Sequence, residues 1–222
     1  MSLRNLAGTA FLLAAVGAPA MFASSAFSSE GTIVTSQPAV QLVPRKTLPI
    51  PEGFEQVSAT DVRVDGEAAR LVRSERTNGR NGGLEGEHVS MLVTPAGRLK
   101  GFVRMDGSLR NLALPSREDT RAIAMAFLSD HAPDLLQALA ISFIEPHDEV
   151  VLLDGQREAL TGMKVKMRNL SDGRWFWVII GGDRQAMVFE RDIVWANLKG
   201  RRQTEKWLHD SWLKDRRARN RP

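Results

Sequence analysis

The stretch from Leu160 to Trp195, LTGMKVKMRNLSDGRWFWVIIGGDRQAMVFERDIVW, holds three of the chain's five tryptophans and constrains the fold more than any other. Met163, Val165 and Met167 fall on one side of an extended chain and Lys164, Lys166 and Arg168 on the other, the period-two pattern of a half-buried strand. The next segment is apolar on both sides: Trp175, Trp177 and Ile179 alternate with Phe176, Val178 and Ile180. Such a strand belongs in the middle of a sheet, covered on both faces. Ser171-Asp172-Gly173 and Gly181-Gly182-Asp183 supply the turns of a β-meander.

The rest of the chain arranges itself around this meander. Residues 27–59 carry Pro38, Pro44, Pro49 and Pro51 without sustained periodicity, so they read as an extended or disordered linker. Asp61–Arg73 predicts a hairpin turning at Asp65-Gly66, and TNGRNGGLEG (77–86) a polar loop. That loop lacks the strand-to-helix setting and the Lys-Ser/Thr of a phosphate cradle. Val89, Met91 and Val93 mark a strand, and Pro95-Ala96-Gly97 turns it into a second, Leu99–Met105. Asp106-Gly107 leads to an expected further strand over Leu109–Leu114. Ser116 then opens a helix over Arg117–Leu128 as its N-cap, with Glu118 and Asp119 at the positive end of the dipole. Ala122, Ile123, Ala126 and Phe127 form its apolar stripe. A short helix over Asp134–Ala140 and an extended Ile141–Leu153 follow. A final helix is expected to open with Thr204 as N-cap and to bury Trp207, Leu208 and Trp212, leaving residues 214–222 as a basic tail.

The N-terminus speaks to location. Arg4 precedes an apolar run, Leu6–Phe22, which ends in small residues at Ser24-Ser25-Ala26, the parts of a secretory signal peptide over residues 1–26. The run is broken by Gly17 and Pro19 and falls short of the ~20 residues a bilayer demands, which favours cleavage over an anchor. Ala18-Pro19-Ala20 is a second possible exit. The expectation is a periplasmic or secreted protein with no span after removal of the signal. Zero cysteines exclude disulfides, thiolate metal sites and thiol nucleophiles. A net charge of +4 is too mild by itself to imply a polyanionic partner.

TPAGRLKGFVR, then SREDTRAIAMAFL, then TGMKVKMRNLSDGRWFWVIIG resemble, in order, a PepSY-type domain and its relatives in protease propeptides, over roughly residues 89–195. The resemblance implies a helix crossing a small antiparallel sheet, and an exported, non-catalytic bacterial module that regulates a protease or binds an envelope partner. FERDIVWANLKGRRQTEKWLHDSWL departs from it, replacing the family's short closing strand. The expected architecture is one α+β domain over residues 60–213, an antiparallel sheet packed by one crossing helix, with an extra C-terminal helix.

Candidate chemistry is sparse. Lys164, Lys166 and Arg168 project together, with Arg174 across the turn, as a cationic row for an anionic envelope surface or protein. The bland counterpart is an exposed edge strand whose lysines discourage pairing. Arg216, Arg217, Arg219 and Arg221 add a basic tail, and export argues against nucleic acid as its partner. Glu190 and Asp192 lie two apart, a spacing open to the paired carboxylates of a glycosidase, with His147 as the remaining acid-base candidate for an envelope hydrolase. Arg191 and Arg184 offer them a salt-bridged alternative. His147-Asp148-Glu149 lacks distant partners of metal-ligand spacing, and His209-Asp210-Ser211 cannot converge as a triad from consecutive helical positions. No cofactor motif is present. Trp175 and Trp177 read as core in preference to a stacking platform. The reading is a binding module without catalysis.

Overall fold

Asp65 (φ 51°) with Gly66 (φ 79°), and Asp154 (φ 51°) with Gly155 (φ 78°), take the left-handed pairs that a two-residue hairpin turn demands. They close the two outermost hairpins of the sheet. The computed structural model describes residue 48, residues 50–196 and residues 201–219. The expected signal peptide over residues 1–26, and residues 27–47 and 49 of the expected linker, lie outside these described residues.

Four strands precede the long helix: β1 (Phe54–Val64), β2 (Glu67–Arg76), β3 (His88–Val93) and β4 (Leu99–Met105). Helix α1 (Arg117–His131) then crosses to β5 (Leu139–Leu153), β6 (Gln156–Asn169), β7 (Trp175–Ile180) and β8 (Ala186–Ile193). The eight strands form one antiparallel sheet in the order β1-β2-β3-β4-β8-β7-β6-β5. Each half is a meander, and the two are joined in the strand order at the β4–β8 seam, where Phe102 pairs with Phe189. The α+β class follows.

One face carries α1. Ser116 caps it by accepting from the Asp119 amide, and Ala124, Phe127 and Leu128 are buried. They pack with Val165, Met167, Phe176, Val178 and Phe189, and the Phe127 and Phe189 rings lie 5.4 Å apart. The other face holds two clusters. Val103, Leu160, Trp177, Ile179 and Val188 belong to one; Val64, Leu71 and Leu92 belong to the second, which the C-terminal segment covers with Trp207 and Trp212.

Several local expectations change. The linker boundary at residue 59 falls inside β1, which begins at Phe54 because that side chain is already buried in the core. No strand spans Leu109–Leu114: Asp106 accepts from the Ser108 amide, and a 3-10 turn sends Leu109 into the core. The Asp134–Ala140 helix is a 3-10 turn, Pro133–Leu136, and β5 starts at Leu139. After the small hairpin β9 (Trp195–Ala196) and β10 (Arg201–Arg202), the last helix α2 runs Asp210–Arg219, so Thr204 does not cap it and Trp207 lies in the preceding turn. The expected tail is helical as far as Arg219.

Candidate functional site

Pairing of β6 with β7 stops at Met163↔Ile180, while β6 itself begins at Gln156. The β5–β6 ribbon therefore overshoots its neighbour, and its free end bends across the sheet to the β2–β3 loop. Leu152 donates its amide to the Glu85 carbonyl (2.7 Å), Asp154 donates its amide to Oδ1 of Asn81 (2.6 Å), and Arg80 grips the Asp154 carboxylate through Nε and Nη2 at 2.7 Å each. Opposite this ribbon stands the segment from Arg202 to Ser211. Between the two walls, over the face away from α1, lies a cavity of about 580 Å³. Its floor includes Met105, Lys164, Trp177 and Glu190.

The C-terminal wall is held by buried polar contacts. Asp210 accepts from Nη1 (2.7 Å) and Nη2 (3.0 Å) of Arg73 and from the Glu85 amide, and Nε of Arg73 reaches Glu75 at 2.7 Å. Asp65 and Glu205 exchange amide-to-carboxylate hydrogen bonds of 3.0 and 2.8 Å. Gly101 makes room for the indole of Trp207: a Cβ there would lie 2.0 Å from Cζ2. The partners of Asp210 fix where α2 begins.

Glu190, 1% exposed, meets both terminal nitrogens of Arg202. Burial pushes its carboxyl above the usual range, and the Arg202 guanidinium works against that shift. Asp192 goes elsewhere. On β7 the interval Trp175–Trp177 is matched on β8 by Ile193–Glu190, one residue longer, and Asp192 absorbs the bulge at φ 64°. Its carboxylate faces Arg98 and Lys100 (3.4 Å each) and Nε of Arg191 (3.4 Å). The two carboxylates are thus committed to separate cations and do not form the glycosidase-like pair, and with side chains 1% and 10% exposed they do not lie at a solvated edge either. His147 lies in the cavity with Glu190, its Nε2 3.5 Å from Glu149. Arg184 pairs with Asp119, not with Glu190 or Asp192.

The cationic row keeps one face, and its edge-strand alternative is corrected. β6 lies between β5 and β7, so it is not an edge. Its register sets Lys166 opposite Trp177 and Arg168 opposite Trp175, on the tryptophan side of the sheet. Nζ of Lys164 lies 4.2 Å above the Trp177 ring and Nζ of Lys166 4.5 Å above Trp175. Burial lowers the Lys164 pKa, with Glu149 opposing. No carboxylate of a described residue stands within ion-pair distance of Lys164. Arg168, exposed, donates to the Gly173 carbonyl (3.2 Å), and Arg174 stands 3.8 Å from Asp172, both at the far turn of the ribbon. Arg216 lies over Trp212, at 5.2 Å, on α2. The side chains of Arg217 and Arg219, and all of Arg221, lie outside the described residues. Of the predicted binding residues, Lys164 alone lines the cavity. Trp177, expected in the core, lines it too and is 7% exposed, whereas Trp195 is 39% exposed at the same cavity.

Among the cavity's histidines, His88 carried no functional expectation. His88 is buried; its Nδ1–H donates to the Gly86 carbonyl (2.8 Å), which leaves Nε2 an acceptor, and that atom has no partner among the described residues. Burial, then Arg73, lowers its pKa and keeps it neutral. A polar residue at an inward position, as in HVSMLV, LVRSER or MVFERDI, is the only sequence signal that singles out His88, Arg73 or Glu190. Among the described residues, no group of three or more His, Asp or Glu is placed to hold a metal ion, and no helix is long and apolar enough to cross a membrane.

Comparison of the chain with protein families, with characterised proteins and with solved structures gave no match in any of the three.

Proposed function

We propose that this chain is an exported, non-catalytic binding module of the bacterial cell envelope, and that it takes an anionic envelope component in the cleft between the β5–β6 ribbon and the C-terminal wall. The observation that carries the reading is Lys164, an ammonium half-buried on an indole in a cavity of about 580 Å³ with no carboxylate of a described residue in ion-pair reach. Volumes of this order are those of small-molecule sites. A buried cation without an anion is an unfavourable state that an incoming anion relieves. Export rests on the sequence of the first 26 residues. One helix laid over an antiparallel sheet supports the PepSY-like part of the reading; the eight-strand order and the C-terminal cover go beyond it. We prefer binding over hydrolysis because Glu190 is held by Arg202 and Asp192 by Arg98 and Lys100, leaving no free pair of carboxylates to share acid and base roles.

The test is native mass spectrometry of the mature protein after exposure to periplasmic extract. A noncovalent small-molecule adduct is expected on the wild type, lost in Lys164→Glu and weakened by salt. An adduct that survives Lys164→Glu undiminished, or its absence from the wild type, defeats the reading.

A further inference from the structure

The cleft offers more than one cation. Thirteen of its twenty lining residues are charged, histidine or serine, a lining unsuited to an acyl chain. Many of those groups are already satisfied: Glu190 by Arg202, Asp210 by Arg73, Asp148 by the hydroxyl of Thr161 at 2.7 Å. What remains is specific. Lys164, Arg157 and Lys206 have no carboxylate of a described residue within ion-pair distance. Nε2 of His88 is a buried acceptor with no donor, and leaving such an atom unpaired costs about 1–3 kcal/mol. The indole of Trp195 stands partly bare at the rim. A ligand that answers all three carries a carboxylate for Lys164, a hydroxyl to donate to His88 and a flat apolar face for Trp195.

We infer that the cleft binds a short acidic saccharide, with a sugar carboxylate at Lys164, a sugar hydroxyl donating to Nε2 of His88, and a ring face against Trp195. This rests on the cleft reading above and names its ligand class. The span sets the length. Lys164 is on β6 and His88 on β3, four strand spacings apart in the sheet order, up to about 19 Å across. A span of that order suits a short chain of sugars better than a single ring. Hydroxyl-bearing rings also explain why acceptors such as Glu149 line a site for an acid: these carboxylates take hydroxyl protons while the cations take the charge.

Titration of the mature protein with trigalacturonate, maltotriose and triglutamate, followed by calorimetry and tryptophan fluorescence, tests it. Trigalacturonate is expected to bind, maltotriose to bind at least about tenfold more weakly, and both Lys164→Met and Trp195→Ala to lose about tenfold or more of the trigalacturonate affinity. Trp195 is exposed enough that its truncation leaves folding intact, which circular dichroism checks. Equal affinity for the acidic and neutral trisaccharides overturns the inference, as does preference for triglutamate, which marks a peptide site. If trigalacturonate fails to bind but the extract adduct is still lost in Lys164→Glu, the saccharide is wrong and the cleft reading stands. If both fail, neither survives.

Discussion

Arg202 and Glu190 show how much a single side chain decides here. With the carboxylate 1% exposed and the guanidinium side chain 6% exposed, neither charge has water to fall back on. Removing one partner strands the other, a loss of roughly 3–5 kcal/mol, whereas replacing both with apolar groups is far less damaging. Urea unfolding is therefore expected to show Glu190→Leu and Arg202→Met each strongly destabilised, and the double variant Glu190→Leu with Arg202→Met losing much less than the sum of the two single losses. Additive losses would mean that the pair is not coupled. Read along the chain, Glu190 is open to two roles, an acid paired with Asp192 or a salt-bridged edge. Neither anticipates Arg202, because the contact depends on a hairpin, β9–β10, too short to leave a pattern. His88 was silent for a similar reason: an inward polar residue in a strand looks like an interruption until its neighbours are known.

At the scale of elements, the strands and their turns were the legible part. Period-two alternation located β3 and the Met163–Arg168 part of β6, an apolar run located β7, turn residues placed β4, Asp65-Gly66 marked the β1–β2 turn, and the Ser116 cap began α1 where the chain begins it. The last segment was not legible. Its QTEKWL start has a plausible cap in Thr204, but contacts far away in sequence prevail: Asp65 binds the Glu205 amide, Arg202 binds Thr204, and Arg73 with the Glu85 amide fixes Asp210. Residues 203–209 are thereby laid over the sheet as a strap, with Trp207 seated on Gly101. Gly101→Ala sets a methyl 2.0 Å from that indole, so the strap must lift or the strand must shift. The expected cost is about 1–3 kcal/mol in chemical denaturation, accompanied by faster amide exchange over residues 203–212. Unchanged exchange there would show that Trp207 does not anchor the strap.

For the molecule as a whole, pH acts through two windows. His88 is held neutral with its pKa below the ordinary 6.5, chiefly by burial and by Arg73, while Asp210 and Glu75 pull the other way. The unfolded chain therefore takes the proton first as pH falls below about 6.5, so this contribution to stability is present above that value and lost beneath it, until folded His88 titrates as well. Asp134, kept below its ordinary 3.8 chiefly by its hydrogen bonds from Arg191, adds stability above that value that disappears in stronger acid. Thermal melts across pH should fall in two stages; His88→Gln should lessen the upper one, which His209, also lowered by burial, shares, and Asp134→Asn should lessen the lower one, which Glu67, Glu75, Asp119 and Asp154 share. A single stage in the wild type would rule out this division.

The β4–β8 seam has a consequence for biosynthesis. All seven residues of β4 are buried in the finished fold, yet the strand that seals its open side is the eighth to leave the ribosome. A polypeptide cut short before Ala186 carries that bare ribbon with nothing of its own to close it, and a second such fragment supplies the nearest substitute. Degraded or prematurely ended copies are thus predisposed to clasp one another through half-sheets.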